Sequence, residues 1–110
     1  MEILASRMLL RPADYERSLA FYRDDLGLAI AREYPGGTVF FAGQSLIELA
    51  GHGRPADAGG SFPGALWLQV RDVYAVQEEL RQRGVAIARE ARQGPWTLHE
   101  MHVEDPDGIT

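Results

Sequence analysis

The amino-acid sequence predicts an α+β protein built from two tandem βαβββ modules, and three observations carry that prediction. The heptapeptide GLAIARE (27–33) returns as GVAIARE (84–90), 57 residues later. Each copy follows the same succession of strand pattern, aspartate, amphipathic stretch and glycine. Between the halves lies AGHGRPADAGGSFPG (50–64), with five glycines, two prolines and no apolar periodicity, which reads as a surface connection. Recurrence of local chemistry and element order at a fixed period indicates a duplicated unit. A chain of 110 residues buries one core, so the expected organisation is a single domain with module one at 1–50, a connection at 51–64 and module two at 65–110.

The elements follow in order. Residues 3–11, ILASRMLLR, alternate as a strand, with Met8 and Leu10 on one face and Arg7, Leu9 and Arg11 on the other. Asp14 is placed as an N-cap. Tyr15, Leu19, Tyr22 and Leu26 then form a helical stripe that Gly27 ends, which assigns Phe21 and Tyr22 to the core. LAIARE (28–33), TVFFAG (38–43) and SLIELA (45–50) read as three strands separated by turn residues, and Phe40 and Phe41 must face opposite ways. In the second half, ALWLQVR (65–71) is a strand with Trp67 and Gln69 on one face. Asp72 caps a helix bearing Val73, Val76 and Leu80, with Gln77/Arg81 and Glu79/Arg83 as solvent-side pairs, and Gly84 ends it. VAIARE (85–90) and WTLHEMHVE (96–104) are further strands, and DPDG (105–108) is a turn closed by its own carboxylates.

Composition removes several chemistries. Without cysteine there is no disulfide and no thiolate, so any metal would rest on His, Asp or Glu. A net charge of −5 without a basic cluster argues against nucleic acid and anionic membranes as partners. No apolar run spans a bilayer and the N-terminus lacks a secretion signal, so a cytoplasmic location is expected. No Ser/His/Asp arrangement or phosphate-cradling glycine loop is readable.

Taken together, D-x4-LAFYRDDLGL, SLIEL, RDV-x6-LRQRG and PWTLHEMHVEDPDG resemble the vicinal oxygen chelate superfamily of glyoxalases, bleomycin resistance proteins and ring-cleaving dioxygenases. The resemblance spans about residues 6–110. It implies that the two modules curl a mixed sheet around an open cleft, and that the family's enzymes hold a divalent metal there. Carried over by position, the metal places fall on Arg7, Ala65, Glu48 and a residue four beyond Gly108, past the last residue, Thr110. Only Glu48 can ligate. Arg7 would repel a cation and can pair with Glu48 instead. The cofactor expected is therefore none, with a divalent metal on Glu48, Glu100 and His102 as the alternative.

The cleft faces implied by the resemblance carry Arg7, Glu48, Trp67, Gln69, Trp96, Glu100 and His102 as the expected ligand-binding residues. Trp67 and Trp96 can clamp a planar molecule by stacking, or else fill core or dimer contacts. Alternation separates His99 from His102, and His52 reads as exposed. DPDG would normally feed a further strand; ending at Thr110, the chain is expected either to cover that edge with a second copy, as a homodimer, or to be shortened. The function expected is metal-free binding of a small, partly aromatic drug or metabolite, as in bleomycin resistance. The alternatives are a metal-dependent lyase, isomerase or dioxygenase, and a structural or regulatory dimer with a vestigial cleft.

Overall fold

Asp14 begins the first helix as its side chain predicts: its carboxylate accepts the Arg17 backbone N–H at 3.2 Å. The computed structural model describes residues 1–52, 64–95 and 97–110, and the chain divides into two units, Met1–Gly60 and Ser61–Thr110. In the first unit the order is β1 (Met8–Leu10), α1 (Tyr15–Ala20), a π-helical turn (Phe21–Asp25), β2 (Ile30–Tyr34), β3 (Gly37–Ala42) and β4 (Ser45–Ala50). That is the predicted βαβββ order. The strands form one mixed sheet in the order β1-β4-β3-β2, with β1 parallel to β4 and the other pairs antiparallel. Strand β1 is shorter than the predicted 3–11, because its ladder to β4 runs only from Met8 to Leu10.

The wider π turn brings consecutive Phe21 and Tyr22 both into the core, their rings edge to face at 5.2 Å. Tyr22 in turn meets Phe40, with ring centroids 6.3 Å apart. Register places Phe40 beside Ile47 and Thr38 beside Leu49, and Leu10 pairs with Leu49 from the other side. These residues are buried on the helix-covered face, each large apolar side chain contributing about 1.5–3 kcal/mol. Phe41 points the other way and is half exposed, as alternation requires.

In the second unit the described elements are α2 (Val73–Gln82), β5 (Arg89–Gln93) and β6 (His99–His102), the two strands antiparallel. Asp72 caps α2 by accepting from the Tyr74 and Ala75 backbone N–H groups. Residues 65–71 are a correction to the prediction: they are irregular, not a strand. A strand is defined by a ladder, and among the described residues the Leu66 N–H to Thr110 carbonyl bond stands as one isolated rung. The solvent-side pairing also differs in part. Arg83 does pair with Glu79, but Gln77 accepts the Ala91 backbone N–H and Arg81 pairs with Glu90, tying α2 to β5.

Gly27 and Gly84 both end helical segments with positive φ, 70° and 81°, so the repeated heptapeptide leaves the two helices alike. The copies then diverge. In the first, Ile30 opens β2, whereas in the second the strand opens two places later, at Arg89. The DPDG turn is closed as predicted: the buried Asp105 carboxylate accepts the Asp107 and Ile109 backbone N–H groups, each at 2.9 Å.

Candidate functional site

The site of the first unit is built on the sheet face opposite α1. Ile47 and Leu49 point toward the helix, so Glu48 between them must point away, flanked in register by Leu9 on β1 and Val39 on β3. Glu48 is only 8% exposed, and a buried carboxylate requires partners. It has one on each oxygen: Arg7 Nε lies 3.1 Å from Oε1, and the Tyr34 hydroxyl donates to Oε2 at 2.5 Å. The Arg7–Glu48 pair is thus formed. Tyr34 reaches Glu48 from β2, the far edge of the sheet, because its hairpin partner is Gly37. A Cβ at position 37 would sit 2.2 Å from the Tyr34 ring and hydroxyl, so only glycine lets the ring lie across β3.

Two further side chains meet Tyr34. The Arg32 guanidinium stands 5.4 Å from its ring centroid, and His52 Nε2 lies 3.2 Å from its hydroxyl oxygen. Tyr34 has one hydroxyl proton, already given to Glu48, so His52 Nε2 must be the protonated nitrogen in that contact. The hydrogen bond to Glu48, followed by burial and the Glu48 charge, raises the Tyr34 phenol above its ordinary ionisation range; Arg32 opposes this weakly. Beside His52 opens a pocket of about 170 Å³, bounded by 11–13, Tyr15 and 50–52. Tyr15 is fixed there by a 2.7 Å hydroxyl contact with Thr38.

The remaining expected ligand-binding residues belong to the second unit. Trp67 and Gln69 lie in the irregular segment, Trp67 with two thirds of its surface exposed. Glu100 and His102 share one face of β6. Glu100 pairs with Arg89 at 3.4 Å, and His102 lies opposite Arg89 in register. His99, at the start of β6, has its Nδ1 within 2.8 Å of the Tyr74 hydroxyl. Trp96 lies outside the described residues.

The residues at the expected metal places do not fit a metal ion. Arg7 brings a fixed positive charge, Ala65 brings no donor, and both oxygens of Glu48 are held by protein groups. The alternative metal set divides between the units, Glu48 in the first and Glu100 and His102 in the second. Among the described residues no group of three or more His, Asp or Glu side chains is arranged to hold an ion. Sequence reasoning found Arg7 and Glu48 but missed Tyr34, Arg32 and His52. A tyrosine across a two-residue hairpin from a glycine was the legible signal.

Residues 5–110 match the family model described as Glyoxalase/Bleomycin resistance protein/Dioxygenase superfamily. A protein of Synechocystis sp. named "Probable lactoylglutathione lyase" is 35% identical over 115 residues, covering 91% of this chain and 86% of that protein. One of Haemophilus influenzae named "Lactoylglutathione lyase" is 34% identical over 121 residues, covering 98% and 87%. Among solved structures, a glyoxalase/bleomycin resistance protein/dioxygenase from Nocardioides superposes with a TM-score of 0.75 at 20% identity, covering 99% of this chain and 80% of that one. A lactoylglutathione lyase from Agrobacterium tumefaciens gives 0.68 at 22%, covering 99% and 91%. At these identities the structures speak for the fold alone. No helix among the described residues is long and apolar enough to cross a membrane.

Proposed function

The chain belongs to the glyoxalase/bleomycin resistance protein/dioxygenase superfamily, and from that premise we propose that it binds a small, partly aromatic molecule without a metal ion. One observation carries this reading: Glu48, at one of the family's metal places, spends both oxygens on Arg7 and Tyr34. A catalytic metal needs about three protein ligands and an open position. Sequestering a ligand requires none. Arg7 and Glu48 are the polar contacts of the first unit in this reading. In the second unit Gln69, Glu100 and His102 are the proposed polar contacts, and Trp67 and Trp96 the proposed stacking groups.

Elemental analysis of protein purified without added metal, joined to thermal-shift titration against aromatic metabolites and bleomycin-type drugs, tests the proposal. The expected result is sub-stoichiometric metal and stabilisation of about 2.7 kcal/mol by a ligand at a hundred times its dissociation constant. Near-stoichiometric divalent metal would overturn it. A second reading, a metal-dependent lyase, draws on the names of the relatives at 35% and 34% identity. It requires lactoylglutathione lyase activity that appears on adding a divalent metal and disappears in Glu48→Gln. We further propose a homodimer; a stable monomer in sedimentation at micromolar concentration would exclude it.

A further inference from the structure

The Arg7–Glu48 pair is lopsided. The Glu48 side chain is 11% exposed and met on both oxygens, while the Arg7 side chain is 48% exposed and faces Glu48 through Nε. Among the described residues the terminal N–H groups of Arg7 donate no hydrogen bond. A guanidinium carries five N–H donors in a rigid fork, and the edge formed by its two terminal nitrogens matches a carboxylate or phosphate with two parallel bonds. A second guanidinium, Arg32, lies over the ring of Tyr34, whose hydroxyl holds Glu48. The linked set Arg7, Glu48, Tyr34 and Arg32 therefore contains two fixed cations and one carboxylate, a local positive excess in a chain whose net charge is −5.

We propose that this cluster is an oxyanion-binding site: Arg7, aimed by Glu48 and seconded by Arg32, grips a carboxylate or phosphate on the ligand. The proposal rests on the metal-free binding reading and specifies the chemistry of that ligand. Orientation is supplied in advance, since Tyr34 fixes Glu48 and Glu48 fixes Arg7, so little side-chain freedom remains to be lost on binding. Toward the oxyanion, Glu48 thus acts by positioning a cation, Arg7.

The test is isothermal titration of the full chain, free of added metal and at constant ionic strength, with sodium benzoate, inorganic phosphate and benzyl alcohol. Benzoate or phosphate is expected to bind at least tenfold more tightly than neutral benzyl alcohol, and competition between the two anions identifies which oxyanion the site prefers. In Arg7→Met the anion affinity should fall on the order of tenfold to a hundredfold, the factor for losing a charge-assisted pair of bonds, and Arg32→Met should give a smaller loss. Circular dichroism verifies folding. Should Arg7→Met not fold, Arg7→Lys, which keeps the charge and loses the fork, should still weaken benzoate severalfold. Neither anion binding more tightly than benzyl alcohol, or anion affinity unchanged in the Arg7 variants, overturns the oxyanion site while leaving metal-free binding intact. Stoichiometric binding of zinc lost in Glu48→Gln overturns both.

Discussion

Replacing Tyr34 by phenylalanine removes one oxygen and keeps the ring, and the consequence falls on Glu48. In the protein the Tyr34 hydroxyl donates to Oε2 at 2.5 Å, and Glu48 is 8% exposed, so water has little access to take over that bond. A hydrogen bond to a charged group is worth about 1.5–3 kcal/mol, and a buried acceptor left unmet lies in the upper part of that range. We expect Tyr34→Phe to cost about 2–3 kcal/mol. With an unfolding entropy of about 2.1 cal/mol/K per residue, a 110-residue chain unfolding as one would lose roughly 9–13 °C of Tm. Urea titration of wild type, Tyr34→Phe, Glu48→Gln and the double variant gives the coupling directly. In the Glu48→Gln background the phenylalanine should cost only about 1 kcal/mol, the worth of a neutral bond. A cost below about 0.5 kcal/mol in both backgrounds would show that Glu48 does not depend on Tyr34, and the site as described would fall.

Three further outcomes follow from the same geometry. Because the Tyr34 phenol is raised above its ordinary range, the stability it contributes is fully present below the usual tyrosine value and is lost as pH rises through its folded value. Spectrophotometric titration should show a tyrosine that ionises above the ordinary range, and that component should disappear in Tyr34→Phe. Gly37→Ala should displace the Tyr34 ring and destabilise about as much as Tyr34→Phe does; adding it to Tyr34→Ala, where no ring is left to meet, should cost far less in the same urea assay. Asp72→Ala removes the acceptor of two backbone N–H groups at the start of α2 and should cost about 1 kcal/mol, measured by thermal unfolding of the variant.

Local signals and long-range ones were legible to different degrees. Asp14, Asp72, Gly27 and Gly84 mark helix ends by chemistry confined to a few residues, and the structure puts all four where that chemistry requires. The strands of the first unit follow from alternation and turn residues. Residues 65–71 alternate equally well yet form no ladder among the described residues, because strand propensity is realised only when a partner supplies hydrogen bonds. Glu48 and Arg7 were reached through the family resemblance, which carries two of its metal places onto them. Tyr34 and Arg32 were not, because their role depends on how far a side chain reaches across β3. His52 read as exposed, and it is exposed, yet it still contacts Tyr34. Exposure and engagement are separate properties.

The missing side chain at Gly37 has a consequence for how this site can drift. A mutation at 37 is blocked while the tyrosine ring occupies the space, and becomes tolerable once position 34 is small. The two positions are therefore locked together in inheritance: descendants that abandon the Tyr34 contact free residue 37, and those that keep the contact must keep the glycine. Co-variation of this pair across an alignment would trace the site through lineages where Glu48 alone says nothing about what holds it.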